Sequence, residues 1–114
     1  MVLNLEQRGR VWILAPQRSL FGGAETDELD RELEDRLHHQ ERFVVIDCSK
    51  VQQININGID TLGAYFPRYP LAGGRIVLAA VNLRVRQHLA VAGFDFDHYA
   101  TVDEAAAAIN PEEP

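Results

Sequence analysis

Apolar residues along the chain follow two spacings, one typical of buried strands and one typical of amphipathic helices. Compact apolar runs rich in Val and Ile predict strands that are buried in the domain. These runs cover residues 11–14, 43–46 and 76–80. Between the first two runs, leucine recurs at every fourth position, at 29, 33 and 37. This spacing predicts a helix over about residues 25–40 with one narrow apolar face.

A second helix is predicted to begin near Asn57, because asparagine is among the residues that most often cap a helix N-terminus. The helix should be short. Pro67 cannot donate a backbone hydrogen bond and would clash with the preceding turn, so it should end the helix. Pro70 is expected to repeat that stop. The capping interpretation alone accounts for Asn57, although a capping residue can also contact a partner.

Local signals also place the remaining elements. A weak alternation over residues 2–5 predicts a strand that forms a hairpin with the next run. Asn82 can cap a third helix, and Gly93 has the position of its C-terminal cap. The alternation of Phe and Asp over residues 94–97 predicts a short fifth strand with both carboxylates facing solvent. Thr101 and Glu104 form a capping box that opens a last, alanine-rich helix.

The predicted element order is ββαβαβαβα, which belongs to the α/β class. Strands that alternate with helices imply a mostly parallel sheet, and the early hairpin makes it mixed. We expect about five strands and about four helices in one domain over residues 1–110, followed by a disordered tail over residues 111–114. No internal repeat or linker interrupts this order.

Composition narrows the classes of function. The 114 residues carry a net charge of −6, with one lysine and dispersed arginines, which argues against a nucleic-acid binder. No apolar run approaches the ~20 residues of a membrane span, and the first residues lack the features of a signal peptide. A single cysteine cannot form an internal disulfide. These features predict a cytoplasmic protein without direct membrane insertion.

The sequence offers no set of residues for catalysis or metal binding. Cys48 follows a strand and is interpreted as a small buried thiol. The four histidines do not stand at ligand spacing with one another or with this cysteine. We therefore expect no enzyme activity, no catalytic residue, no metal and no cofactor. An enzyme that uses the acidic groups or Cys48 is the least favoured class, because no set of nucleophile, base and oxyanion donors can be named.

Three stretches of the sequence have the order and spacing of a known domain family. Residues 44–51 are similar to the central strand of the family and the loop after it. Residues 55–59, with the sequence NINGI, stand where the family has Asp-Ser-Ser/Thr-Gly. Residues 73–94 contain a strand, a capped helix and a Gly-Phe pair after the helix, all at the spacing of the family. They are the most specific of the three stretches. Together the three stretches resemble the STAS domain found in bacterial anti-sigma factor antagonists, and the resemblance covers roughly residues 8–109.

The resemblance implies a protein-binding regulatory module whose partner is typically an anti-sigma factor that is also a kinase. In the family, the loop after the central strand and the helix that it opens contact the partner, and phosphorylation of the Ser or Thr just before the motif glycine breaks the complex. The phospho-acceptor position falls on Asn57, which has no hydroxyl and cannot be phosphorylated. The implied partner-binding residues are Asn55, Ile56, Asn57, Gly58, Thr61 and Tyr65.

Three questions stay open at this stage. Thr61 lies one helical turn after Asn57 and could accept phosphate instead, although an ordinary helix threonine is the favoured interpretation. Tyr65, Phe66 and Tyr69 could form an aromatic interface patch, although at least one should lie in the core. The alternative function is a non-switching scaffold or adaptor subunit, which would expose apolar surface and form oligomers. It would belong to a stress-signalling complex or to a lipid or anion transport system.

Overall fold

The structure is a computed structural model that describes residues 3–111. Its strands are β1 Leu3–Arg8, β2 Val11–Pro16, β3 Phe43–Asp47, β4 Arg75–Ala79 and β5 His98–Tyr99. Its helices are α1 Ala24–His38, α2 Ile56–Tyr65, α3 Arg68–Leu71, α4 Leu83–Val91 and α5 Val102–Ile109. Val2, at the start of the first predicted strand, and residues 112–114 of the predicted tail lie outside the described residues.

The five strands form one mixed sheet in the order β1-β2-β3-β4-β5. The β1–β2 hairpin is antiparallel, and the other three pairs are parallel. Successive parallel strands are added in the same direction, so right-handed crossovers place the connecting helices on one face of the sheet. Leu33 of α1, Leu62 of α2 and Leu89 of α4 lie accordingly in the same buried cluster.

The central strand β3 is buried on both faces, as its continuous apolar run predicts. Val44 and Ile46 pack into the core under α1, α2 and α4, whereas Val45 points to the opposite face. There α5 covers the sheet with Ala105 and Ile109. Alternate residues of one strand therefore serve two separate layers of core.

The fifth strand is shorter than the alternation of Phe and Asp predicts. It covers only His98–Tyr99, so the prediction of a strand over residues 94–97 is wrong. Phe94 packs edge-on against Phe66 of the segment after α2, with 5.1 Å between ring centroids. This packing holds the chain beside the helical layer, and pairing with β4 begins only where the N–H of Leu78 donates to the carbonyl of Asp97.

The two prolines after α2 have different effects. The helix ends at Tyr65, just before Pro67, as predicted. Pro70 does not act as a second stop, because it lies inside the one-turn helix α3. Residues in a first helical turn have no intrahelical acceptor for their N–H groups, so a proline there loses no hydrogen bond. None of the helices within residues 3–111 has the length and apolarity to cross a membrane.

Candidate functional site

The candidate site lies at the carboxyl ends of β2 and β3, where the loops after these strands run side by side. An isolated parallel bridge joins Leu20 to Ile54. The N–H of Leu20 donates to the carbonyl of Gln53, and its carbonyl accepts from the N–H of Asn55, both at 3.1 Å. These bonds extend the β2–β3 pairing beyond the sheet, so the two loops form one rigid frame.

Asn55 begins α2 and ties it to the neighbouring loop. Its Oδ1 accepts hydrogen bonds from the N–H of Asn57 at 3.0 Å and of Gly58 at 3.3 Å. Its Nδ2 donates to the carbonyl of Phe21 at 3.0 Å. The prediction of Asn57 as the N-cap is therefore wrong. Asn55 has the extended backbone of a capping residue, and Asn57 already lies inside the helix.

Asn57 is exposed in the first turn of α2 and packs against the glycine turn of the β2–α1 loop. A β-carbon added to Gly22 would lie 2.7 Å from Asn57 Nδ2. Gly22 has a φ of +89°, and its N–H donates to Thr26 Oγ1 at 2.9 Å. The side chain of Asn57 therefore has a fixed neighbour on one side and solvent on the other.

Two large apolar side chains are exposed next to Asn57. Ile56, the first residue of α2, is 62% exposed, and Phe21, whose carbonyl accepts from Asn55, is 50% exposed. We call Phe21, Ile56 and Asn57 the α2 surface. Phe21 was not among the predicted site residues. An aromatic residue beside two glycines in a loop after a strand was the available signal.

The other predicted site residues lie beneath or beside the α2 surface. Thr61 is half-buried, and its Oγ1 donates to the carbonyl of Asn57 at 3.2 Å. Gly58 is buried under the β2–α1 loop. Tyr65 is 4% exposed and packs in the main core, so its side chain does not reach the surface. Asn55, Ile56, Asn57 and Thr61 thus come together at the start of α2, and Tyr65 does not join them.

The aromatic interface patch is contradicted by burial. Tyr69 is fully buried, and its hydroxyl donates to the carbonyl of Leu33 in α1 at 2.8 Å. Phe66 is partly buried and packs against the same core as Tyr65. Burial is the main cause that raises the pKa of Tyr65 to about 12. These aromatics stabilise the contact between α1 and the segment from α2 to α3.

Within residues 3–111, the reactive thiol and the potential metal ligands form no site near the α2 surface. Cys48 is 3% exposed, and burial, with a smaller effect of Asp47, raises the pKa of its thiol to about 12. Its Sγ lies 3.6 Å from the carbonyl oxygen of Ile46. Among the described residues, no group of three His, Cys, Asp or Glu side chains could hold a metal ion.

The family model for the STAS domain matches residues 2–105 of the sequence. The chain belongs to the STAS domain family. The predicted fold is confirmed, with an antiparallel β1–β2 pair and parallel pairing in the rest of the sheet. In this STAS domain, the motif region NINGI contains the cap and the first turn of α2.

Solved structures of similar fold come from regulators and from transporters. A Thermotoga maritima protein assigned to the anti-sigma factor antagonists has a TM-score of 0.84 at 19% identity, over 94% of this chain and 93% of the other. The phosphorylated form of the Bacillus cell fate determinant SpoIIAA has a TM-score of 0.77 at 13% identity, over 95% and 99%. The murine anion transporter Slc26a9 has a TM-score of 0.74 at 17% identity, over 91% of this chain and 18% of the transporter. The search of curated proteins found no match. At these identities the likeness shows the fold.

Proposed function

We propose that this STAS domain is a non-catalytic regulatory module that binds a protein partner through the α2 surface, in the manner of an anti-sigma factor antagonist. The observation that carries the proposal is the exposure of Phe21 and Ile56 next to Asn57. Its partner would be an anti-sigma factor of the kinase type. The protein would act in the cytoplasm and use no cofactor.

The frame beneath the α2 surface supports a binding role. Exposed aromatic and aliphatic side chains supply binding free energy when a partner covers them, and the gain is larger if they are already ordered. Asn55 holds α2 and the loop of Phe21 together, because its side chain accepts a hydrogen bond from the N–H of Asn57 and donates one to the carbonyl of Phe21. Binding would therefore require little reordering of the backbone.

The chemistry of Asn57 supports binding without a phosphorylation switch. Its amide cannot accept a phosphoryl group, whereas SpoIIAA, a protein of the same fold, has been solved in a phosphorylated form. Thr61 is a poor substitute, since its half-buried hydroxyl is engaged with the carbonyl of Asn57. We infer that the domain resembles the unmodified, binding-competent state at all times.

No chemistry is assigned to the domain itself. Cys48 is buried, and the pKa of its thiol is raised to about 12, so the reactive thiolate is scarce near neutral pH. The α2 surface presents an amide and two hydrocarbon side chains, none of which acts as a nucleophile or as a general acid or base.

The experiment is an affinity pull-down of the tagged domain from native cytosol, with captured proteins identified by mass spectrometry. Asn57→Glu places a carboxylate on the α2 surface and should abolish capture of a kinase-type anti-sigma factor. Gln87→Glu introduces the same charge at an exposed position of α4 and should leave capture unchanged. Equal capture by all three proteins would refute the role of Asn57.

A second set of variants tests the apolar contacts. Phe21→Ala and Ile56→Ala should each weaken binding of the recovered partner by about tenfold or more, which is the effect of removing a buried interface anchor. Leu71→Ala at the end of α3 and Val91→Ala at the end of α4 remove side chains that are 87% and 89% exposed. These two controls should bind with wild-type affinity.

The scaffold function remains the second candidate, because the same fold occurs in the anion transporter Slc26a9. A scaffold subunit would be recovered with transporter or assembly subunits, and its capture would not depend on Asn57→Glu. Self-association measured by analytical ultracentrifugation would also favour this alternative. Recovery of a kinase-type anti-sigma factor that is lost with Asn57→Glu would exclude it.

A further inference from the structure

A small pocket lies at the carboxyl ends of β4 and β5. The α2 surface lies at the same end of the sheet, beyond β2 and β3. Its volume is about 300 Å³. It is lined by Ala80, Val81, Arg86, His98, Tyr99 and Ala100.

Arg86 gives the pocket an unbalanced positive charge. Its Nε is buried and has no hydrogen-bond partner within residues 3–111. Two other buried polar atoms in those residues, Glu32 Oε1 and Arg36 Nε, also lack a hydrogen bond. However, Glu32 Oε1 lies within 4.0 Å of the guanidinium of Arg36, and Arg36 Nε lies within 4.0 Å of the carboxylate of Glu41. Arg86 forms no such ion pair in the described part of the chain. An arginine without a carboxylate partner beside a cavity favours an anion that accepts from its guanidinium.

No acidic side chain lines the pocket, although the protein as a whole carries a net charge of −6. Besides the guanidinium, the lining offers the hydroxyl of Tyr99 and the imidazole of His98 as hydrogen-bonding groups. Its remaining lining residues are alanines and a valine. The pocket thus combines a cation with a wall of mixed polar and apolar groups, an arrangement that suits an anion with a small apolar body.

The backbone at the end of β4 shapes this pocket. Ala80 has a φ of +56°, a conformation that a non-glycine residue seldom adopts. Its N–H donates to the carbonyl of Tyr99 at 3.0 Å, which holds the strained turn against β5. Backbone strain of this kind is enriched at ligand-binding sites.

We propose that this pocket binds a small organic anion, a carboxylate or a phosphate monoester, through the guanidinium of Arg86. The fork of donors on arginine matches the paired oxygens of either group. The apolar part of the ligand would lie against Val81 and the ring of Tyr99. This site goes beyond the proposed partner binding, and neither depends on the other.

The test is an NMR titration of the ¹⁵N-labelled domain at constant pH and ionic strength, with phenyl phosphate in one series and benzoate in another. We expect saturable shifts of the Arg86 Nε–Hε signal and of the amides of Ala80 and Tyr99, with at least millimolar affinity. The two series distinguish a phosphate site from a carboxylate site. Arg86→Gln should weaken binding by about tenfold or more, the usual effect of losing a charged hydrogen bond.

Arg84→Gln is the matched control, because Arg84 is exposed on the same helix two residues away. This variant should bind like the wild type. If Arg86→Gln does not fold, Arg86→Lys keeps the charge without the fork and should bind several-fold more weakly. Absence of saturable shifts in both series, equal shifts of the Arg84 and Arg86 side chains, or wild-type binding by both Arg86 variants would overturn the proposal.

Discussion

A β-carbon added to Gly58 would lie 2.6 Å from the carbonyl oxygen of Leu20 and 2.7 Å from Ile54 Cγ1. The first turn of α2 therefore touches the backbone of the loop after β2, and only glycine permits that approach. The same contact sets the position of Asn57 and Ile56. The motif glycine is thus a packing requirement of the surface to which we assign partner binding.

We expect Gly58→Ala to lower the free energy of unfolding by about 1–2 kcal/mol, because overpacking outweighs the gain in helix propensity. Gly63→Ala is the matched control in the same helix, where an added β-carbon meets nothing within 4 Å. That change should raise the free energy of unfolding by about 0.5–1 kcal/mol. Urea unfolding followed by circular dichroism measures both values. Similar effects of the two substitutions would show that the contact with Leu20 is not tight.

The cap of α2 supplies a second prediction. Asn55→Ala removes the acceptor for two N–H groups and the bond to Phe21, so it should cost about 1–2 kcal/mol of stability. Asn57→Ala affects an exposed side chain inside the helix and should change stability by less than about 0.5 kcal/mol. Urea midpoints at constant m-value compare the two. The reverse order would identify Asn57 as the cap.

Local sequence signals alone could not predict which of these two asparagines caps α2. Both residues stand before an apolar turn and both are good caps, so spacing alone could not separate them. The carbonyl of Phe21, which comes from a loop distant in sequence, selects Asn55. Where no such competitor exists, as at Asn82 and Thr101, the predicted caps are confirmed.

Contacts between distant parts of the chain explain the other differences. The alternation of residues 94–97 resembles a strand, but a strand requires a neighbour, and β4 meets the chain only from Leu78 onward. The burial of Tyr69 depends on a carbonyl offered by Leu33 from another helix. Strands such as β3 were predictable because their apolar runs already indicate burial on both faces.

Burial of Cys48 predicts slow reaction with thiol reagents. A thiol pKa of about 12 instead of 9.0 lowers the thiolate fraction near pH 8 by about a thousandfold. Reaction of the native domain with Ellman's reagent should therefore be at least about a hundredfold slower than reaction of the urea-unfolded chain.

Ser49→Cys in a Cys48→Ala background is the matched control for this measurement. It moves the thiol by one residue to an exposed position, and it should react at nearly the rate of the unfolded chain. A wild-type rate equal to that of this variant would show that Cys48 is accessible, and the catalytic alternative would then need reconsideration.

The raised pKa values predict loss of stability in alkaline solution. Cys48 and Tyr65 have ordinary pKa values of 9.0 and 10.0, and both values rise to about 12 in the folded domain. Burial also raises the pKa of Tyr69. Between the unfolded and folded values, the folded state binds more protons than the unfolded state, so the free energy of unfolding falls as pH rises.

The urea midpoint should therefore stay constant up to about pH 9 and then fall, with each group contributing up to about 1.4 kcal/mol per pH unit. Tyr69→Phe removes one titrating group and should make this decline shallower. It should also lower stability at neutral pH by about 1–2 kcal/mol, because the carbonyl of Leu33 loses its buried donor. The steepness with which the urea midpoint falls with pH, and not the stability at neutral pH, tests this prediction. A urea midpoint that stays constant up to pH 11 would mean that all three groups are accessible to solvent in the folded domain. A decline equally steep in Tyr69→Phe would mean that the Tyr69 hydroxyl is accessible.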